Sequence, residues 1–331
     1  FTVVAGTTLD NGLTIQDATE NGNQYVWVEV PKTDTVYPTA GLNITEFTTD
    51  DYTKIENDLH TYTSTYRNNT SWKDEWYEDK DNSTDWFASE QYTAQKQKML
   101  KSVYQNGGFW VAKYEAGLTE ENNRTSETPV PTIAPQSKAN LVPYNYVTRT
   151  EAKKLAEMVT YTKGKETYTG SIMFGVQWDL VLKFIETKKL ATDAKIVSKL
   201  NSDSKDIGNY LDATFTINRG KYTSDGTTWY NYTDNLEGIV SKSVKTIQSS
   251  SDNAILLTTG ATETHKLMNI YDIAGNVWEW TLEHATSYGG VTCARRAGGY
   301  GMSGSNAPAS LRGGDVTTSS CDAIGFRLSL Y

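Results

Sequence analysis

Few residues in this chain have the chemistry of a nucleophile or a soft metal ligand. Its 331 residues hold two cysteines, Cys293 and Cys321, and three histidines, His60, His265 and His284. A thiolate is what nucleophilic or soft-metal chemistry requires, and cysteine zinc sites need C-x-x-C spacing, which is absent. The two thiols read either as unrelated or, in an oxidising compartment, as a pair. The histidines form no H-x-x-x-H pair, so each reads as a surface or packing residue and no metal site is expected from them. What stands out instead is the ending, "CARRAGGYGMSGSNAPASLRGGDVTTSSCDAIGFRLSLY" from 293 to 331. Its Gly, Ser, Ala and Asp cannot fill a core, yet the run closes in a strand-like "IGFRLSLY". Small, mixed side chains held between framework residues (Gly298, Gly299, Pro308, Arg312 and 324–327) are the arrangement of a binding surface.

The elements that must carry such a surface follow from periodicity. "QYVWVEVP" alternates Tyr25, Trp27 and Glu29 against Val26, Val28 and Val30, a strand closed by Pro31. Residues 49–62 place Tyr52, Ile55, Leu59 and Tyr62 at helical spacing behind cap candidates Thr49 and Asp50. The polar, Trp-studded stretch 68–87 reads as a loop or short helix. A second helix follows, with Tyr92, Gln95, Met99 and Val103 on one face and Gly107-Gly108 as its stop. "FWVAKYEAG" (109–117) is a strand and 118–141 a loop. Thr148 and Glu151 form the capping box of a third helix, and Val176, Leu180, Val181 and Phe184 are the buried stripe of a fourth. From 201 to 248 the chain predicts irregular structure with short strands.

A formal net charge of −9 without any basic cluster argues against a nucleic-acid partner. No apolar run reaches the roughly 20 residues of a membrane span, so no membrane insertion is expected. The opening "FTVVAGTTLDNG" lacks the n- and h-regions of a signal peptide, which leaves targeting unread. Tyrosine (21) and tryptophan (9) outnumber phenylalanine (8), a ring set suited to interfaces as well as cores.

"YDIAGNVWEWT", followed by "RAGGY", Arg312 and "GFRL", resembles the signature of the formylglycine-generating enzyme (sulfatase-modifying factor) superfamily. "YVWVEVP", "GGFWVAKYEAG", "VPYNYVTRTEAKKLAEMV" and "GVQWDLVLKFIE" resemble its earlier segments, in order. The resemblance implies an α+β, C-type-lectin-like fold: a short twisted antiparallel sheet, two flanking helices and much irregular structure. It implies a single domain over 1–331, with 40–105 a helical insertion and 293–331 the variable region with its closing strand. Asn276, Trp278, Trp280, Arg312, Gly325, Phe326 and Arg327 are then framework. Trp278 and Trp280, two apart, share one strand face, and Arg327 ties the last strand to neighbouring carbonyls or carboxylates. The family's two copper-binding cysteines correspond here to Ser303 and Pro308, neither of which supplies a thiolate, and no iron-binding histidine pair is present. No catalytic residue and no cofactor is expected. The resemblance does imply a structural calcium to which Asn276 and Glu279 would contribute, although no complete oxygen cage is spelled out.

The ending also resembles the variable proteins of diversity-generating retroelements, which use the same fold and in which adenine-directed mutagenesis rewrites Asn codons before the final "GFR". Gly301, Ser303, Ala307, Leu311, Gly313, Gly314, Asp315, Val316, Ser319, Cys321, Asp322 and Ala323 each have a codon reachable from an Asn codon by changing its two adenines; Met302 does not. With Tyr300 as an aromatic anchor, these residues and Met302 make the expected ligand-binding patch, and Cys321 becomes an accident of diversification. The reading is a non-enzymatic receptor-binding or adhesin-like protein, extracellular on a bacterial surface or phage virion, whose partner is a protein or glycan on a cell surface. The rivals are an enzyme of the same superfamily with unrecognised oxidative chemistry, and a structural phage or surface protein.

Overall fold

The computed structural model describes residues 1–18, 22–67, 71–80, 84–129, 132–163, 166–285 and 290–331. Of the 68–87 stretch, residues 68–70 and 81–83 therefore lie outside the described residues. The architecture is mixed α+β, with mostly small antiparallel sheets and few helices.

The largest sheet has six strands in the order 2–3, 14–16, 24–29, 108–112, 328–330, 171–172, every neighbouring pair antiparallel. Alternation built it: Val26 and Val28 are fully buried, while Trp27 and Glu29 on the other face are half-buried. The last strand of the chain enters the interior of this sheet, between 108–112 and 171–172. A second sheet has strands 313–315, 293–296, 278–284 and 324–325, the last pair parallel.

Five helices are described: α1 Thr49–Tyr62, α2 Ser89–Asn106, α3 Arg149–Glu157, α4 Gly175–Lys189 and α5 Ile196–Asn201. The α1 cap is Thr48, one residue before the expected candidates: its hydroxyl accepts from the Asp51 N–H and the Asp51 carboxylate accepts from the Thr48 N–H. On the α1 face Asp58 is buried beside Ile55 and Leu59 because its carboxylate accepts from Thr39 and from the Ala40 N–H at 2.8 Å. Helix α2 stops as predicted at Gly107, left-handed at φ 73°. In α3 the Thr148–Glu151 box closes. Helix α4 differs from a stripe: Gly175 through Leu182 are all buried, including Gln177 and Asp179, so the helix is enclosed on nearly every side. Helix α5 has no counterpart in the sequence reading, its six residues being too few for a periodic signal.

Residues 31–107, with α1 and α2, leave the sheet between two strands that pair with each other, Trp27 opposite Trp110. The loop between these helices is not a polar excursion. Trp72, Trp86 and Phe87 are buried. The main hydrophobic core runs from Tyr25 to Leu330 and takes in Trp86 and Phe87, while Trp72 packs in a small separate cluster with Ala285 and Ala294. Between 201 and 258 the chain forms short strands in two three-stranded sheets, as its glycine-punctuated composition predicts.

Candidate functional site

The floor of the 300–323 region is the indole of Trp278. It begins the 278–284 strand, every residue of which is buried. Glycine lies on either side of it: a Cβ at Gly299 would stand 3.0 Å from its Cδ1 and one at Gly313 2.9 Å from its Cζ3. The Arg295 guanidinium covers the ring at 4.7 Å and pairs with Asp315 at 2.8 Å. Trp280 is turned into the core, where its indole N–H donates to the Val147 carbonyl at 2.9 Å.

From this floor the chain leaves in two stages. Through 303–312 it is sewn to the body. Gly304 N–H donates to Asp212, the Tyr210 hydroxyl donates to the Ala307 carbonyl at 2.8 Å, and the Trp178 indole donates to the Ala309 carbonyl at 2.9 Å. Arg312 ends the stage in a closed ring of charges. Its Nε donates to Glu283 at 2.8 Å and another of its nitrogens bonds Asp179, while Arg296 donates to the second oxygens of Asp179 (2.8 Å) and Glu283 (3.1 Å). All four side chains are buried, so each charge is met by two opposite ones in a low-dielectric interior. Burial pushes the Glu283 carboxyl up, but Arg312 and Arg296 more than offset it and hold it below the usual carboxylate range.

The second stage, 313–323, is half-exposed and re-enters at Ala323, whose carbonyl accepts from the Trp278 N–H at 2.7 Å. Asp322 receives the Tyr300 hydroxyl, its backbone carbonyl accepts from Asn145 at 2.8 Å, and the Cys321 carbonyl accepts from the Tyr146 N–H at 3.0 Å. Burial and Asp322 push the Tyr300 phenol well above its usual range, and its hydroxyl is already engaged.

Of the expected patch, Met302 (37%) and Val316 (40%) are the large side chains freely exposed. Tyr300, Gly301, Ser303, Leu311, Gly313, Gly314, Asp315, Ser319, Cys321, Asp322 and Ala323 are half-buried. Two assignments need correction. Ala307 is 0% exposed, its methyl 2.9 Å from where a Cβ at Gly298 would lie, so it belongs to the anchor and not to the patch. Gly313 is half-exposed, but Trp278 fills the space a side chain would take, so it is a packing glycine. Exposed Ser305, Asn306, Thr318 and Ser320 complete the surface; their small polar character gave no reason to choose them over their neighbours.

Arg327, fully buried, donates to both Glu279 oxygens, to the carbonyl of Ala112 at 3.1 Å and to that of Tyr271 at 2.9 Å. Gly325 and Phe326 pack against Tyr144. The Asn276 Oδ1 accepts from Asn209 and from the Leu257 N–H, both at 3.0 Å, and its amide donates to Glu115. With Glu279 taken up by Arg327, neither side chain offers an oxygen to calcium, and these residues do not fit such a site.

Cys293 and Cys321 are both free thiols. Cys293 is buried against the Tyr77 hydroxyl at 2.9 Å. His284 stacks on Tyr77 at 4.0 Å and His265 meets Phe215 edge-on, so both pack against rings. His60 lies with Glu56 and Asp74, a grouping with metal-ligand chemistry. The Lys96 ammonium already occupies it, donating to Glu56 at 2.8 Å and to the Asp74 carbonyl at 2.7 Å.

No protein-family model matches the chain, and no curated protein does. Among solved structures the chain is similar to Treponema denticola variable protein 1, at 14% identity over 67% of this chain and 84% of that one, with a TM-score of 0.35. It is also similar to CarF, at 12% identity over 67% and 85%, with a TM-score of 0.39. Likenesses of this order leave the functional reading to the site itself.

Proposed function

We propose that this protein is a non-enzymatic ligand-binding protein of the C-type-lectin-like class, in which 300–323 is a variable patch for a protein or glycan on a cell surface. Its place would be extracellular, on a bacterial surface or a phage virion. The observation that carries the reading is the two-stage build of this segment. Its ends and its middle are fixed by buried charge and backbone bonds, while 313–323, tied down at Asp315 by Arg295 and at Asp322 by Tyr300, otherwise presents mostly half-exposed or exposed side chains. Such a segment tolerates substitution without unfolding the domain.

The patch is shallow and its side chains small, so affinity rests on Tyr300, Met302 and Val316 and on avidity where copies are arrayed. Ser303 and Pro308, at the positions where the superfamily's oxidases carry thiols, supply no thiolate.

The test is to sequence the C-terminal coding region from several isolates of the source population. Substitutions crowded into 301–323, sparing Ala307, Arg312 and Gly313, at codons that read as adenines in a nearby template repeat, support the reading. A segment as constant as the rest of the chain overturns it.

A further inference from the structure

The outer face of the six-stranded sheet bears a cavity of about 580 Å³ that shares no residue with the 300–323 segment. Strand register makes its floor: Trp27 lies opposite Trp110, and Trp110 opposite Leu330. The two indoles meet at 5.0 Å, inclined by 59°. Gly108 permits this, since a Cβ there would stand 2.7 Å from the Trp27 ring. Above the floor stand Tyr161 and Thr162 on the 160–163 strand, and Ser102 and Asn106 from the last turns of α2.

Three properties restrict the ligand. First, no Asp, Glu, Lys, Arg or His lines the cavity among the described residues, so no described side chain offers a charged ligand a counter-charge. Second, Trp27 and Trp110 are half-buried, and among the described residues neither indole N–H has a protein acceptor. A ligand with acceptor oxygens can meet a donor that a purely apolar one leaves to water. The Tyr161 hydroxyl, by contrast, is spent on Asp17 at 2.8 Å, so that residue offers only its ring. Third, the 59° inclination gives no parallel slot for a planar aromatic.

We propose that this cavity binds a neutral saccharide of one or two pyranose rings. The C–H face of a pyranose lies on an indole, its ring-edge oxygens accept from the indole N–H groups, and Ser102, Asn106 and Thr162 bond the outer hydroxyls. A cavity of this size falls within the roughly 300–1,000 Å³ of small-molecule sites. This site is independent of the reading of 300–323, and either can fail alone.

The experiment titrates the protein separately with cellobiose, maltose, N,N′-diacetylchitobiose and, as a planar aromatic probe, indole, following tryptophan emission. The expected result is a saturable change with at least one disaccharide, weakened about tenfold or more by Trp110→Ala and by Thr162→Arg. Thr162 is exposed, so its replacement by Arg covers the mouth without disturbing the core and keeps the test valid where Trp110→Ala fails to fold. No saturation by any disaccharide, saturation by indole alone, or disaccharide binding unchanged in Thr162→Arg would overturn the proposal.

Discussion

Arg312 and Glu283 stand 29 residues apart in sequence and 2.8 Å apart in space, Nε to Oε1, both buried. This contact is where the most variable-looking part of the chain is fastened to one of its most enclosed strands. The same guanidinium donates to the Tyr66 carbonyl at 2.9 Å, so it also ties in the turn that follows α1, in the middle of the helical segment 31–107. Arg312→Ala leaves Glu283 and Asp179 each short of one counter-charge inside the protein, a loss of about 3–5 kcal/mol by urea unfolding. Arg312→Lys does not restore it, because one ammonium cannot reach three partners lying in different directions. Met302→Ala and Val316→Ala, at exposed positions of the same segment, stay within about 0.5 kcal/mol of the parent. Equal losses at all three positions would mean that the segment is not built in two stages.

Glycines of the patch divide in the same way. Gly313→Ala places a methyl 2.9 Å from the Trp278 ring, which must move, at a cost of about 1–3 kcal/mol and with a visible change in tryptophan emission. At Gly301 the nearest atom to a new Cβ is that of Ser251 at 3.7 Å, an ordinary contact, so Gly301→Ala leaves stability and emission unchanged. A silent Gly313→Ala would return that position to the variable set.

Much of this frame was legible in the sequence because local signals and packing agree there. The Thr148–Glu151 box, the Gly107 stop and the Val26/Val28 alternation each encode a local geometry that the tertiary structure keeps. The charge ring was not legible. Asp179 sits in an apolar helix and Glu283 in a strand buried on both faces, and alternation carries no information where both faces are covered. Nor was the cavity over Trp27 and Trp110, since those two residues come together only through the register of strands separated by residues 31–107. Ala307 was misread for a related reason: a small residue looks the same in a surface loop and in a tight anchor.

The thiols give a direct check on the two-stage segment. Cys293 is enclosed beside Tyr77, whereas Cys321 is half-exposed, its thiol pushed up by burial and so slow to react. Native protein is expected to release one equivalent of chromophore from an aromatic disulfide reagent, slowly, and denatured protein two. Cys321→Ser abolishes the native reaction. No reaction in denaturant without a reductant would show the two cysteines paired.

Asp74 and His60 titrate in opposite senses, and the pair sets a pH signature. Burial, then the carboxylates of Glu283 and Glu56, push Asp74 up to about 7, while burial, then Arg67, push His60 down to about 3. In the unfolded chain these groups titrate near roughly 3.9 and 6.5. Between about pH 4 and 6.5 the folded protein therefore holds a proton on Asp74 that the unfolded chain has lost, and lacks one on His60 that the unfolded chain has gained. The two slopes cancel, and stability is nearly flat with pH as far as this pair is concerned. Asp74→Asn removes the first, so stability now falls on acidification from about 6.5, because only the unfolded state takes up the histidine proton. His60→Gln removes the second, so stability falls as pH rises from about 4 to 7, because the unfolded state releases the Asp74 proton first. Each isolated slope approaches about 1.4 kcal/mol per pH unit, read from urea midpoints across that range. Parallel pH profiles for the parent and both variants would show that neither group carries the shift assigned to it.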